Sequence, residues 1–131
     1  MLYVYIDGAC FGNPGPMGIG VVIYKNKHKI KEISEYLGEG TNNIAEYNAL
    51  IRALEEIKKF GESKALIRTD SQLLANQMSG LYKVKNHNLK ILKSKADKLL
   101  RGMDVKIEHI PREHNTIADN LSKKAIAKKK S

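Results

Sequence analysis

The chain is predicted to be an α/β domain built on a five-stranded mixed sheet, three antiparallel strands followed by two parallel additions, with helices on both faces. Three observations predict this. The first forty residues hold three runs of strand periodicity joined by short turns, which is the pattern of an antiparallel meander. Two further strand-like runs then alternate with segments of helical period, so crossovers must link them and they enter the sheet in parallel. Finally, 131 residues of which 42% are hydrophobic suffice for one core burying about two-thirds of the unfolded surface.

In the opening run, Leu2, Val4 and Ile6 alternate with Tyr3, Tyr5 and Asp7, the period of a strand. A loop with Gly8, Gly12, Pro14, Gly15 and Pro16 is expected to follow, its glycines letting the backbone approach a ligand. Ile19 to Tyr24 is the second strand, Lys25 to Lys29 a polar turn with a solvated His28, and Ile30 to Leu37 the third strand, stopped by Gly38 and Gly40. Thr41-Asn42-Asn43 supplies capping residues for a helix from Ile44 to Phe60, whose Tyr47, Leu50, Ile51, Leu54 and Ile57 recur at helical spacing before Gly61. Lys64 to Thr69 suits a short buried strand. A short helix follows Asp70-Ser71-Gln72 and ends at Ser79-Gly80. After the basic loop Tyr82 to Asn86, a helix carries Leu89, Leu92, Ala96 and Leu99 on one stripe, with Lys90, Lys93, Lys98 and Arg101 on the other side. Met103 to Glu108 alternates as the last strand, His109 to Asn115 forms a loop, and Thr116 onward is the final helix. A single domain over 1–127 with a frayed basic tail at 128–131 is expected.

Composition narrows the function. The net charge is +9, from 23 Lys and Arg against 14 acids, which favours a polyanionic partner through counterion release. Cys10 is the single cysteine, so there is no internal disulfide framework and a reducing compartment fits. The longest apolar run, near Val21 to Tyr24, is about six residues, far short of a membrane span. No signal peptide precedes the first strand. A cytoplasmic monomer without membrane contact is the expectation.

Four carboxylates stand out, each with a structural alternative. Asp7 ends a strand beside a glycine loop, but Asp-Gly also makes a simple turn. Glu46 falls near the middle of its helix's apolar stripe, where an ionised group must be paired or bind metal; Asn43-x-x-Glu46 also has the form of a capping box. Asp70 follows a buried strand, where ligands gather in α/β sheets, or it caps the next helix. Asp119 sits in a first helical turn, where the macrodipole favours an acid. One converging cluster accounts for all four. Carboxylates without His or Cys select hard ions, Mg²⁺ or Mn²⁺, and two such ions about 4 Å apart can clamp both oxygens of a phosphodiester displacement.

Asp7-Gly8-Ala9-Cys10-x-Gly12-Asn13-Pro14-Gly15-Pro16, Thr41-Asn42-Asn43-x-Ala45-Glu46, Thr69-Asp70-Ser71-Gln72 and Asn115-x-x-Ala118-Asp119-x-Leu121 together closely resemble type 1 ribonuclease H, in family order and over nearly the whole chain. The resemblance implies the ribonuclease H-like fold and endonucleolytic cleavage of the RNA strand of RNA–DNA hybrids, leaving 5′-phosphate and 3′-hydroxyl ends. It implies that Asp7, Glu46, Asp70 and Asp119 are catalytic metal ligands for two Mg²⁺ (or Mn²⁺) ions, Asp7 bridging them. Residues matching Cys10, Asn13, Asn42, Asn43 and Gln72 contact the hybrid's minor groove in this family, Glu46 also touches a ribose 2′-hydroxyl, and Thr41 matches a residue that holds a DNA-strand phosphate.

The chain departs from many relatives in two places. Only Ser79 to His87 joins the two middle helices and there is no Trp, so it resembles the branch without a basic protrusion. Lys83 and Lys85, with Lys90 and Lys93, either replace part of that grip or form a solvated face. His114 is the candidate for the mobile histidine that relatives carry before the last acid; His87 and His109 read as structural. The competing reading is a module of the same fold that binds hybrid or duplex RNA without cutting it, which the intact acid set disfavours. The same chemistry on another nucleic acid is a third, since resolvases, integrases and transposases share this architecture.

Overall fold

The computed structural model describes residues 1–130, of residue 130 the backbone alone. The expected meander forms first: β1 (Leu2–Cys10), β2 (Gly15–Lys25) and β3 (His28–Gly40) pair antiparallel. α1 (Asn42–Lys59) then crosses to β4 (Lys64–Thr69), and α2 (Gln72–Met78) with α3 (His87–Leu100) cross to β5 (Asp104–His109). β4 pairs parallel with β1, and β5 parallel with β4, giving the order β3-β2-β1-β4-β5. A single 3₁₀ turn, Arg112–His114, leads into α4 (Thr116–Lys130).

Leu2, Val4 and Ile6 point to one side of β1 and bury against Leu50, Leu54 and Ile57 of α1. α3 packs beside α1 and adds Leu89 and Ala96 to this core. α4 lies on the other face, over β2 and β3, so helices flank both sides of the sheet as expected. Tyr47 Oη donates to Gln77 Oε1 at 2.7 Å in the interior, tying α1 to α2.

The largest departure from expectation lies in the glycines. β1 continues through Gly8 to Cys10, and β2 already begins at Gly15, so the Gly/Pro loop shrinks to residues 11–14. The glycines inside these strands are places where other backbone comes close. A Cβ on Gly18 would stand 2.3 Å from the Ser122 carbonyl oxygen, and one on Gly20 would stand 2.1 Å from that of Ala118. The other departures are at ends. α1 begins at Asn42, capped by Thr41, whose Oγ1 accepts from Ile44 N at 3.3 Å. α4 runs through Lys130, past the expected start of the tail at 128; Ser131 lies outside the described residues. No helix among the described residues is long and apolar enough to cross a membrane.

Candidate active site

The C-terminal end of β1 is where three elements deliver acids. Alternation that sends Ile6 into the core sends Asp7 to the opposite face, under α4. β4 runs parallel to β1 and ends with Thr69 opposite Ile6, which brings Asp70 alongside Asp7. The first turn of α1 lies against Gly8: a Cβ there would stand 2.3 Å from the Ala45 carbonyl carbon and 2.4 Å from Glu46 N. Asp7, Glu46 and Asp70 each offer a carboxylate oxygen, and these oxygens lie within 4.8 Å of one another. Asp119, from the first turn of α4, stands outside this group of three but near enough to Asp7 for the two carboxyls to shift one another's proton affinity.

The local alternatives for these acids resolve individually. Glu46 does not close a capping box; its Oε1 accepts from Gly8 N of the neighbouring strand at 2.6 Å. Asp70 does not cap α2, because Ser71 Oγ accepts from Leu74 N at 3.1 Å. Asp70 Oδ2 instead accepts from Asn115 Nδ2 at 3.1 Å, and the same amide donates to the Ile6 carbonyl at 2.8 Å. Ser122 Oγ lies 3.2 Å from Asp7 Oδ2 and 2.7 Å from the Asp119 carbonyl. Asp119 Oδ2 pairs with Lys123 at 2.9 Å.

Like charges are crowded here without water to shield them. Asp7 is 5% exposed and Glu46 8%. Burial, then the charges of Asp70 and Asp119, push the Asp7 carboxyl up to about 8. Burial, then Asp7 and Asp70, hold Glu46 well above the usual carboxylate range. Asp119 goes the other way; its burial is outweighed by Lys123 and the neighbouring Asp7 carboxyl, which lower it. The donors around the three converging acids are a backbone amide, a carboxamide and a hydroxyl, all neutral. An oxygen-only cluster of two buried carboxylates and one half-buried one, the buried pair destabilised in its ionised form, fits a hard divalent cation that would neutralise it.

This has a measurable consequence. A carboxyl raised from 3.8 to about 8 on folding adds no penalty below the lower value, and its full penalty is present above the higher one. The native state binds the extra proton between them, so metal-free stability is lost as pH rises through this window. In EDTA, the melting temperature of the wild type minus that of Asp7→Asn is expected to fall between pH 5 and pH 8. Added Mg²⁺ should raise the wild-type melting temperature more at pH 8 than at pH 5. Calorimetry checks both, and a flat difference would contradict the proton assignment.

The remaining expected residues surround this centre unevenly. Cys10 Sγ faces the carbonyls of Gly15 and Gly40 at 3.4 and 3.3 Å, and burial pushes its thiol up. Asn13 Oδ1 accepts from Asn42 N at 3.1 Å, which joins the short loop to the start of α1. Cys10, Asn13, Thr41, Asn42 and Asn43 thus gather in one neighbourhood, with the three asparagines exposed. Gln72 is exposed on the first turn of α2. Lys83, with Tyr82, Lys90 and Lys93, lines an open cleft of about 450 Å³; exposed Lys85 lies outside its lining. His114 is exposed and lines a different cleft, with Tyr5 and Arg68. Arg112, two residues earlier, is the loop residue whose charge lowers both Glu46 and Asp119. Arg112, Asn115 and Ser122 were not singled out from sequence as site residues. Asn115 alone carried a signal there, four residues before Asp119 within the same motif.

A family model described as reverse transcriptase-like matches residues 5–125. The chain is 39% identical over 123 residues to the bifunctional protein Rv2228c of Mycobacterium tuberculosis, covering 92% of this chain and 34% of that protein. It is 39% identical to ribonuclease HI of Halobacterium salinarum, covering 95% and 64%. It is 34% identical to ribonuclease HI of Haemophilus ducreyi, covering 92% and 86%. The chain therefore spans about a third of the mycobacterial relative's length. Among solved structures, LC11-RNase H1 in complex with an RNA/DNA hybrid matches with a TM-score of 0.95 at 44% identity, covering 100% of both chains. RNase H1 of Halobacterium salinarum matches at 0.93 and 38%, covering 97% and 98%.

Proposed function

The chain belongs to the ribonuclease HI family, and from that premise we propose that it hydrolyses the RNA strand of RNA–DNA hybrids, leaving 5′-phosphate and 3′-hydroxyl ends. The observation that carries this reading is the convergence of Asp7, Glu46 and Asp70, with Asp119 close enough to Asp7 to perturb it. Asp7, Glu46 and Asp70 would hold one Mg²⁺ or Mn²⁺, and Asp7 with Asp119 a second. When bound, such a pair supplies charge stabilisation for both the entering and the departing oxygen of the scissile phosphate.

The protein's own groups set the geometry for that chemistry. Gly8 N fixes Glu46 at hydrogen-bond distance from β1, and Asn115 fixes Asp70 against the same strand. Ser122 and Lys123 hold Asp7 and Asp119 from the α4 side. Arg112 places a cation beside Glu46 and Asp119, suited to a substrate phosphate. Asn13, Asn42, Asn43 and Gln72 offer exposed amide groups to base edges and ribose hydroxyls, the groups that separate RNA from DNA. Lys83 and Lys85 lie in the region where many relatives have a basic protrusion and would hold backbone phosphates from there.

The deciding experiment compares labelled RNA–DNA hybrid, duplex RNA and duplex DNA in one Mg²⁺ assay. Cleavage of the hybrid's RNA strand alone is expected. Hybrid binding without any metal-dependent product would replace the enzyme with a binding module, and cleavage of duplex DNA would replace the substrate.

A further inference from the structure

α4 packs over β2, β3 and part of β1, and beside its first turn the same sheet face forms a cleft lined by Tyr3, Tyr5, Tyr24 and Arg68. Alternation places Tyr3, Tyr5 and Asp7 together on that face. Tyr24 stands opposite Tyr3 on β2, and Arg68 opposite Tyr5 on β4. Tyr5 and Tyr24 meet edge to face with ring centroids 5.8 Å apart. The Arg68 guanidinium lies 5.7 Å from the Tyr3 centroid and 5.4 Å from that of Tyr5, and its Nη1 donates to Tyr5 Oη at 2.6 Å. Together they wall a cleft of about 440 Å³ that Lys27 and His114 also line.

Several properties of this cleft point to a ligand. Three aromatic rings on one sheet face would ordinarily be covered, yet Tyr3 is 38% exposed. The Arg68 guanidinium is held over the Tyr3 and Tyr5 rings, and Glu108, its ion-pair neighbour at 3.8 Å, does not line the cleft. No carboxylate is among the described lining residues, whereas Lys27, Arg68 and His114 are. The matching ligand presents flat π faces together with negative charge, as unpaired nucleotides do. A duplex does not, because its base faces are already stacked on each other.

The cleft also adjoins the acids. Asp7 is two residues beyond Tyr5 on the same face, about 7 Å at the rise of a strand. Asn115, part of the cleft lining, donates to Asp70. We propose that this cleft is a stacking platform for unpaired nucleotides flanking the hybrid. It rests on the hybrid-cleavage reading for the identity of the adjoining duplex, while its affinity for a single strand stands independently.

The test uses fluorescence anisotropy of the full chain with a labelled oligouridylate of about 12 nucleotides, in EDTA so that nothing is cut. Wild type is expected to bind. Tyr3→Leu/Tyr24→Leu, which preserves every charge, should bind about thirtyfold more weakly, and Tyr3→Phe/Tyr24→Phe should bind like wild type. If the double leucine variant melts early, Tyr3→Leu alone on the exposed ring should still show a loss of about fivefold. Wild type failing to bind, or leucine variants binding equally well, would overturn the platform. Because this readout needs no cleavage, a failure of the proposed hydrolysis would be seen separately in the hybrid assay.

Discussion

Replacing Asp7 with asparagine is expected to lower hybrid cleavage by about three orders of magnitude or more while the fold stays intact. Asp7 is the acid that neighbours all the others: an oxygen lies near those of Glu46 and Asp70, and Asp119 is close enough to perturb it. Asparagine is nearly the same shape, and its carbonyl still accepts from Ser122. The charge is lost, however, and metal-derived stabilisation of a phosphoryl transition state is worth several kcal/mol, with each 1.36 kcal/mol being tenfold in rate. Without metal the variant should be the more stable protein at pH 8, because a buried charge crowded by Asp70 and Asp119 is gone. Turnover of labelled hybrid in excess Mg²⁺, alongside melting curves in EDTA, checks both halves. Undiminished turnover would remove Asp7 from the chemistry.

The second large effect is expected at a residue that has no side chain. A methyl group on Gly8 would stand 2.3 Å from the Ala45 carbonyl carbon, 2.4 Å from Glu46 N and 2.6 Å from the Ala45 carbonyl oxygen. All three are backbone atoms, so no rotamer change relieves the clash, and the first turn of α1 must back away from β1. Gly8→Ala is expected to cost about 3 kcal/mol, the upper range for overpacking, and roughly 10 °C in melting temperature. The retreat also breaks the 2.6 Å bond from Gly8 N to Glu46. A misplacement of about 1 Å can cost about a hundredfold in rate, so activity should fall by about that factor even well below the melting point. Gly38→Ala is the contrast: its φ of +87° is strained for alanine, but nothing lies within 4 Å of the added carbon. It should cost about 1 kcal/mol and leave turnover unchanged.

The sheet was legible in the sequence because its strands obey a simple alternation, clearest in Leu2, Val4 and Ile6. The crossovers followed from the change of period after Gly40. Glu46 stood out because a carboxylate on the apolar stripe of α1 must be paired or bind metal, although a capping box offered it a local role. What escaped was tertiary. Gly8 has the composition of a turn and Gly20 sits unexplained in an expected strand, and only the arrival of α1 and α4 shows why strands need them and Gly18. Thr41 rather than Asn43, and Ser71 rather than Asp70, cap their helices; with adjacent residues all able to cap, composition does not choose among them. Arg112, Asn115 and Ser122 acquire their places through contacts with residues far away in the chain. No periodicity encodes such pairings.

The two glycine windows in β2 bear on how the site withstands change. At Gly18 and Gly20, α4 rests close on the sheet through the Ser122 and Ala118 carbonyls and the Leu121, Ala125 and Ile126 side chains, so the spacing between Asp119 and Asp7 does not depend on the apolar side chains packed on the α1 side of the sheet. Trimming or enlarging residues deeper in the interior would therefore weaken the protein well before it moved one acid relative to the other. The end of the molecule that carries the acids is in this sense mechanically insulated from the core on the α1 side.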